Sequence, residues 1–282
     1  MKKVIKFIFK QLGFNITKLP EKNNGTTLVE ENTTEYDDCI SEYFIEDEAL
    51  AEINKIRPFT MQNDERLTVL YQQAVYCEKN NIKGSFIECG VWKGGAVGLM
   101  ALANLNYGKS RRDLHLFDCF QDACEPDELK DGQRVLDEIK KYGGSQAKTQ
   151  GNLKPNEGIY DFIGGHGTVE GNKDLIEKVI GYDSKYVNYH KGYFQDTLPI
   201  VAPQINEIAI LRLDGDFYYS IKVCLDQLYS KVVSGGFIII DDYFYYKGCT
   251  EAVDDFLREN NINVYLHHAD YASKYHAYWI KP

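Results

Sequence analysis

Two groups of acidic residues follow apolar runs in the second half of the chain. Asp214-Gly215-Asp216 comes directly after residues 208–213, and Asp241-Asp242 comes directly after residues 235–240. The apolar runs predict strands, and residues 218–231 between them carry apolar side chains at helical spacing. A helical crossover makes the two strands parallel neighbours, so their carboxyl ends share one edge of a sheet. Four carboxylates should therefore meet at the edge where open α/β sheets bind ligands.

Clustered carboxylates repel one another unless a cation lies among them. Carboxylate oxygens are the ligands that Mg²⁺ and similar hard ions take in proteins. These acids therefore indicate a divalent metal site. The alternative is that they cap the helices that follow the strands, which explains one acid at each strand end but not two.

Length, charge and cysteine content narrow the class of protein. The 282 residues suffice for one α/β domain with an extension, and the net charge of −10 disfavours a nucleic-acid partner. No apolar run reaches the roughly twenty residues that a transmembrane helix needs. The seven cysteines form no CxxC pair, which is typical of a reducing compartment. These features predict a cytoplasmic protein without a transmembrane span.

The first 46 residues predict an N-terminal extension and a linker. Residues 1–19 are basic and place apolar residues near one helical face, so this helix could contact an anionic membrane or a partner subunit. A short helix that packs on its own domain, or frays, is an equally good interpretation. The sequence leaves open whether the protein forms a homo-oligomer. The polar residues 21–38 indicate a linker, and the main domain is predicted at residues 47–282.

The main domain begins with two predicted helices and then a strand that runs into a glycine-rich turn. The strand is Ser85 to Glu88, the turn is Cys89 to Ala96, and a helix follows. This layout lets the backbone approach a nucleotide or adenosyl ligand closely, although glycines also serve turns in proteins without ligands. The turn lacks both the three-glycine dinucleotide pattern and the phosphate-loop Gly-Lys-Ser/Thr. Neither a nicotinamide dehydrogenase nor a nucleoside triphosphatase is favoured.

A second strand, Asp113 to Phe117, ends at Asp118. An acid at this position can accept hydrogen bonds from a ribose diol, whereas the alternatives are a helix cap or a solvated loop acid. Residues 119–167 then lose periodicity and predict a loop-rich insertion, a length typical of a lid or a substrate-selecting element. Residues 262–267 and 275–280 alternate in hydrophobicity and predict a closing hairpin.

Four stretches together resemble the macrocin O-methyltransferase family. They are Phe86 to Gly95, Tyr193 to Pro199, Leu213 to Ser220 and Gly235 to Tyr243. The resemblance extends over about Arg57 to Pro282 and implies methylation of sugar hydroxyls with S-adenosylmethionine and Mg²⁺. It also implies an α/β fold of the Rossmann-like class I methyltransferase type. Such a fold has a mostly parallel sheet of seven strands, the last antiparallel, with helices on both faces.

The resemblance also implies roles for individual residues. Asp214, Asp241 and Asp242 would bind the metal, and Asp216 would be the general base. The cofactor would lie over the glycine-rich turn, with Asp118 on its ribose and Thr60-Met61 closing over it. The remaining cofactor-binding residues would be Glu88, Gly90, Val91, Trp92, Gly94 and Gly95.

The predicted function is a Mg²⁺-dependent sugar O-methyltransferase for a glycosylated natural product or a surface-glycan precursor. In an extended segment Asp216 points to the same side as Asp214, two residues before it, so both would reach one small volume. One rival is a methyltransferase of catechol-like phenols, which needs the same ion. Another is a non-catalytic adenosyl-binding scaffold, which would not need the four acids. The segment Cys119 to Cys124 replaces a Phe-Glu-Gly-Leu-Pro-like turn of similar proteins, so the acceptor is not predicted.

Overall fold

The structure is a computed structural model that describes residues 45–124, 126–142, 158–269 and 275–282. The predicted N-terminal helix and linker lie outside these residues, apart from positions 45 and 46. Residues 143–157 of the predicted insertion lie outside them as well. Among the helices described, none combines the length and apolar character needed to cross a membrane.

Six strands in the described part of the chain form one sheet in the order β3-β2-β1-β4-β5-β6. All neighbours are parallel except β6, which runs antiparallel to β5. The strands are β1 Ser85–Cys89, β2 Leu114–Asp118, β3 Val187–Lys191, β4 Ile208–Leu213, β5 Val232–Ile240 and β6 Ala277–Ile280. The mostly parallel sheet and the β4–β5 pairing that places the two acid groups side by side are therefore confirmed.

Helices connect the strands and cover the sheet. They are α1 Glu46–Ile56, α2 Asp64–Lys79, α3 Gly95–Tyr107, α4 Gln133–Tyr142, α5 Val169–Lys173, α6 Phe194–Val201, α7 Tyr218–Leu228 and α8 Lys247–Glu259. Helix α5 continues directly into a π-helical stretch, Asp174–Val179. Short 3₁₀ turns occur at Arg57–Phe59, Asp161–Ile163, Ser184–Tyr186, Ala202–Gln204 and Tyr229–Lys231.

Each face of the sheet has its own hydrophobic core. On one face α1, α2 and α3 pack side chains such as Ile53, Leu70 and Leu99 against the strands. On the other face α6, α7 and α8 contribute Leu198, Leu225 and further apolar residues. Because helices cover both faces, the central strands β1, β4 and β5 consist mainly of apolar residues, with Glu88 and Arg212 as buried charged exceptions.

Two features of the fold differ from prediction. The sheet has six described strands and not seven, because residues 262–266 run beside the sheet without pairing and only His267 forms a bridge, to Tyr278. Ile262, Val264 and Leu266 do pack against the core, so the alternating hydrophobicity correctly predicted a segment with one buried face. The pattern of side chains could not predict whether the backbone pairs with a neighbouring strand. Helix α4 also lies within the segment predicted as loop-rich, with Val135 and Ile139 buried one turn apart.

Candidate active site

The carboxyl ends of β4 and β5 bring three carboxylates together. Asp214, Asp216 and Asp242 each place a carboxylate oxygen within 4.8 Å of the other two. The chain turns sharply here, since Asp216 has a φ of +58° and the Phe217 N–H donates to the Gly215 carbonyl at 2.6 Å. The expectation of an extended segment at Asp216 is therefore wrong. The left-handed turn, and not strand alternation, brings the Asp216 carboxylate to Asp214.

Burial and mutual repulsion strongly perturb this carboxylate group. Burial, with Asp241 as the next contribution, raises the pKa of Asp214 to about 6. Burial and the nearby Asp214 raise the pKa of Asp216 to about 8, and the pKa of Asp242 is raised well above its ordinary value by burial and by Asp241. Together these shifts mean that the three carboxylates retain protons near neutral pH, and a bound divalent cation would displace those protons. The site is therefore chemically suited to bind a divalent cation.

Asp241, predicted as a metal ligand, lies outside that group of three. Its side chain is 9% exposed, and its carboxylate lies 3.0 Å from Arg212 Nη2 and 3.7 Å from Arg66 Nη1. It also accepts a hydrogen bond from Gln62 Nε2 at 2.9 Å. The structure thus places Asp241 in an ion-pair network next to the three carboxylates.

Arg212 is the centre of this network, although it lies in the buried strand β4. Its Nη1 contacts Glu88 Oε1 at the end of β1, and its Nη2 lies 3.0 Å from both Asp214 Oδ2 and Asp241 Oδ1. Burial opposes the charge, but the three carboxylates raise the pKa of Arg212 above its ordinary value. Burial raises the pKa of Glu88 to about 8, with Arg212 opposing the shift. The guanidinium of Arg212 therefore forms ion pairs with acids at the carboxyl ends of β1, β4 and β5.

The glycine-rich turn lies between the acid-bearing strand and the chain before α2. Gly90 has a φ of +89°, and any side chain there would overlap the Asp214 carbonyl oxygen. A Cβ at Gly95 would lie 2.6 Å from the Phe59 carbonyl oxygen and 2.7 Å from Thr60 Cβ. Gly94 is the N-cap of α3. Met61 follows Thr60 and is 60% exposed, so its side chain covers little of the turn.

The side chain of Asp118 accepts hydrogen bonds from the backbone of the glycine-rich turn. Its Oδ2 accepts hydrogen bonds from the Val91 N–H at 2.6 Å and the Trp92 N–H at 3.0 Å, and its Oδ1 accepts from the Phe120 N–H at 2.6 Å. Burial raises the pKa of Asp118, while these three donors favour the charged form. A carboxylate offers about four lone-pair sites, so a ribose diol would share Asp118 with the turn.

A segment that we call the strap, residues 158–167, crosses from the glycine-rich turn to the acid-bearing loop. Trp92 Nε1 donates to the Gly165 carbonyl at 3.1 Å, and Lys93 Nζ donates to the Gly164 carbonyl at 3.3 Å. At the other end, Ile159 packs in a small apolar cluster with Phe217, the neighbour of Asp216. The strap therefore contacts both halves of the candidate site.

Several buried polar atoms at the carboxyl end of the sheet have no hydrogen-bond partner among the described residues. They include Glu88 Oε2, Asn172 Oδ1 and Gln195 Nε2. Asn172 also lines a cavity of about 160 Å³ together with Phe59 and Lys93. An unsatisfied buried polar atom costs about 1 to 3 kcal/mol, so a ligand rich in donors and acceptors would stabilise this region. These residues fit an adenosyl group, and the three carboxylates fit a divalent cation.

Comparison with known proteins assigns the chain to a family. The sequence profile of the macrocin-O-methyltransferase (TylF) family matches residues 16–154 and 174–281. The chain belongs to the macrocin-O-methyltransferase family. The resemblance stated from the four sequence stretches is therefore confirmed.

Known proteins similar to the chain include O-methyltransferases of two bacteria. The chain is 32% identical over 180 residues to demethyldecarbamoylnovobiocin O-methyltransferase of Streptomyces niveus, covering 63% of this chain and 59% of that relative's length. It is 29% identical over 205 residues to mycinamicin III 3''-O-methyltransferase of Micromonospora griseorubida, covering 72% of each chain. The solved structure of the O-methyltransferase NovP matches with a TM-score of 0.63 and 28% identity, over 79% of this chain and 82% of NovP.

Sequence reasoning missed several residues of this macrocin-O-methyltransferase family site. Arg212 had a visible signal, since a charged residue inside a buried apolar strand needs charged partners. Gln195 lay in one of the recognised stretches, but nothing in the sequence indicated an unpaired amide. The strap residues carried no periodic pattern, and only the fold reveals that they contact Trp92 and the apolar cluster that includes Phe217.

Proposed function

We propose that this protein is an S-adenosylmethionine-dependent O-methyltransferase that acts on a sugar hydroxyl of a glycosylated natural product. The observation that carries the proposal is the direct contact between the glycine-rich turn and the acid group, where Gly90 meets the Asp214 backbone. Methyl transfer needs donor and acceptor held in one small volume. Family membership and the similarity to mycinamicin III 3''-O-methyltransferase support this choice of reaction.

The adenosyl cofactor would be held by residues at the carboxyl ends of β1 and β2. These are the turn residues Gly90, Val91, Trp92, Gly94 and Gly95, with Glu88 and Asp118 beside them. Thr60-Met61, which precede α2 in the chain, would complete the set next to Gly95 at the start of α3. When bound, S-adenosylmethionine supplies an electrophilic methyl group, so that an S–C bond breaks as an O–C bond forms and S-adenosylhomocysteine is left. The unpaired atoms of Asn172 and Gln195 are further candidates for contacts with it.

The metal would be Mg²⁺ or a similar ion. Asp214 and Asp242 belong both to the ligand set implied by the family and to the observed group of three. The third ligand is Asp241 in the family-based set and Asp216 in the observed group. We keep Asp241 as the third ligand, because it lies at the same strand end and shares Arg212 with Asp214. When bound, such an ion lowers the pKa of a chelated hydroxyl.

Asp216 is then the general base. A general base works best with a pKa near the operating pH, and the pKa of Asp216 is raised to about 8 without a cation. A divalent cation bound to the neighbouring acids would favour the deprotonated form of Asp216, which is the form that accepts a proton. The proton of the methylated hydroxyl would pass to the Asp216 carboxylate. General base catalysis contributes about 10²- to 10⁴-fold to a rate, which sets the scale of the loss expected on removing it.

The direct test is methyl transfer from labelled S-adenosylmethionine to a panel of glycosides, with and without Mg²⁺. The parent protein should methylate at least one glycoside in preference to catechol. Asp216→Asn should lower the rate by about 10²-fold or more, whereas Asp226→Asn, at an acid on α7 paired with Lys222 at 2.7 Å, should not change it. Transfer to catechol alone would refute the sugar acceptor, and no transfer to any acceptor would refute the proposed function.

A further inference from the structure

Residues 127–142, which we call the bridging segment, contact the chain directly after both acid groups of the candidate site. The segment begins in a turn at Asp127 and continues through α4. It lies within the stretch that the sequence predicts as a loop-rich insertion. Two of its side chains, those of Asp131 and Glu138, form hydrogen bonds with distant parts of the chain. Each of them reaches a different acid-bearing loop.

Asp131 caps the N-terminus of α7, the helix that begins two residues after Asp216. The Tyr218 N–H donates to Asp131 Oδ1 at 2.7 Å, and the Asp127 N–H donates to Asp131 Oδ2 at 2.7 Å. The N-cap residue of α7, Phe217, forms no side-chain cap of its own. A carboxylate from 87 positions earlier in the chain therefore fixes the start of α7, and with it the turn that carries Asp216.

Glu138 holds the loop that follows Asp242. Its Oε1 accepts a hydrogen bond from the Tyr245 hydroxyl and its Oε2 accepts one from the Tyr246 hydroxyl, both at 2.7 Å. The backbone N–H groups of the same two tyrosines donate to the Asp242 carbonyl at 3.0 and 3.2 Å. Arg134, one turn before Glu138 on α4, lies 3.7 Å over the centre of the Tyr245 ring. One carboxylate thus holds two tyrosines, and both tyrosines hold the backbone of Asp242.

Apolar packing joins the same elements. Val135 and Ile139, both on α4, are buried in one cluster with Phe217, and Tyr246 packs against this cluster. The rings of Phe217 and Tyr246 are 6.3 Å apart. Phe217 belongs to the loop after β4, and Tyr246 belongs to the loop after β5. The bridging segment therefore packs against both acid-bearing loops and fixes one relative to the other.

We propose that Asp131 and Glu138 are positioning residues, which hold Asp216 and Asp242 at the separation that methyl transfer requires. This inference rests on the proposed function and extends it to the residues that arrange its acids. Asp214, Asp216 and Asp242 place carboxylate oxygens within 4.8 Å of one another, so these acids repel one another once their protons leave. Repelling acids stay together when the backbone that carries them is held, and the bridging segment holds it on both loops.

The first test compares Glu138→Ala with Asp137→Ala, which alters an exposed acid on the same helix, bonded to Gln133 at 2.8 Å. Residues that orient metal ligands typically contribute about 10- to 100-fold to metal affinity or activity. Because Asp242 would bind the metal, Glu138→Ala should weaken Mg²⁺ binding about 10-fold in calorimetry, and excess Mg²⁺ should restore part of its methyl transfer. Affinity for S-adenosylhomocysteine should stay unchanged, whereas a general loss of structure would weaken both ligands. Asp137→Ala should match the parent in every measurement.

A double variant tests the route from Glu138 to Asp242. Tyr245→Phe combined with Tyr246→Phe keeps both rings and deletes the two hydroxyls that donate to Glu138. Because these changes and Glu138→Ala remove the same hydrogen bonds, their effects on Mg²⁺ affinity should be less than additive when all three are combined. Full additivity would show that Glu138 acts through other contacts and would overturn this route.

The cap at α7 calls for a different measurement, because it orients the general base. Asp131→Asn keeps an oxygen that can accept from the Tyr218 N–H, whereas Asp131→Ala leaves this buried donor unpaired. A misplaced catalytic group can cost about 10²-fold in rate, so Asp131→Ala should lower kcat by about 10- to 10²-fold, and excess Mg²⁺ should not restore it. Asp131→Asn should keep most of kcat. Equal kcat in Asp131→Ala and the parent overturns the role of Asp131.

Mg²⁺ affinity separates this inference from the proposed function, because it is measured without turnover. Unchanged Mg²⁺ affinity and unchanged kcat in Glu138→Ala overturn the inference even if the parent methylates glycosides. Equal weakening of Mg²⁺ and S-adenosylhomocysteine binding makes Glu138 a purely structural residue and overturns it as well. If the parent methylates no acceptor but Glu138→Ala still binds Mg²⁺ more weakly, the proposed function fails and the positioning of Asp242 by Glu138 is supported.

Discussion

Replacing Asp216 by Asn should stabilise the protein when no divalent cation is present. The pKa of the Asp216 carboxyl is raised to about 8 in the fold, against about 3.9 in the unfolded chain. The unfolded chain therefore releases this proton at a lower pH than the fold does. The contribution of Asp216 to stability therefore falls as the pH rises from about 4 to about 8. The loss is complete above the pKa of Asp216 in the folded protein. Asparagine cannot titrate, and it tolerates the left-handed backbone at this position.

The size of the expected stabilisation follows from the shift in the pKa of Asp216. Each pKa unit corresponds to about 1.4 kcal/mol. If Asp216 titrates alone, its shifted pKa therefore lowers the free energy of unfolding by roughly 4 kcal/mol at about pH 7. Asp214 and Asp242 compete for the same protons, which reduces what one substitution recovers. We expect the free energy of unfolding to rise by about 1 to 2 kcal/mol at neutral pH, and to change little at about pH 4.

Asp241→Asn provides the matched control, because this neighbouring acid is compensated by positive charge. Its carboxylate pairs with Arg212 at 3.0 Å and Arg66 at 3.7 Å. Losing a charged hydrogen-bond partner in a buried site costs about 1.5 to 3 kcal/mol. The two substitutions, each removing one carboxylate from the same edge of the sheet, should therefore change stability in opposite directions.

The assay is urea unfolding with EDTA or with Mg²⁺ for the parent and both variants. If Asp216 is the base and Asp241 a ligand, Mg²⁺ should still stabilise Asp216→Asn but should stabilise Asp241→Asn much less. The reverse result would make Asp216 the third ligand, as the observed group of three carboxylates suggests. A variant Asp216→Asn that is less stable than the parent in EDTA would refute the argument from charge repulsion.

Three further outcomes are expected. Gly90→Ala should lower the free energy of unfolding by at least about 2 kcal/mol in urea titrations, because it forces a side chain into a left-handed position against the Asp214 carbonyl. Asp118→Ala should weaken S-adenosylhomocysteine binding by about 1 to 3 kcal/mol in calorimetry, and unchanged affinity would remove Asp118 from the site. Burial lowers the pKa of His276 to about 4, so protonation favours the unfolded chain as the pH falls below about 6.5. His276→Gln should therefore lose less stability than the parent between about pH 7 and pH 5, and equal losses would contradict the assignment.

The sheet was predictable because its central strands are buried on both faces. Strands β1, β4 and β5 are mainly apolar runs that end in a glycine-rich turn or in acids, and the parallel pairing of β4 with β5 follows from the helical crossover between them. The predicted strand at residues 262–267 failed for a related reason. Its alternating side chains do pack on the core, but pairing also requires a partner strand, which no local pattern reports.

The candidate site was predictable in composition but not in arrangement. Motifs identified the acids and the glycine-rich turn, whereas the partners of each acid depend on contacts between distant segments. The pairing of Arg212 with Glu88 joins residues 124 positions apart. The turn at Asp216 and the strap over Trp92 depend in the same way on tertiary packing, which overrides local preference.

Arg212 divides the acids at this edge of the sheet into two sets. Glu88, Asp214 and Asp241 share its single positive charge, while Asp216 and Asp242 receive none from it. A cation bound here would face the uncompensated pair together with Asp214, which contacts Arg212 and also belongs to the group of three carboxylates. It can recruit Asp241 only by competing with Arg212. By pairing with Asp241, Arg212 would thus limit how many carboxylates a divalent cation could bind, and this limit would be set by charge and not by distance alone.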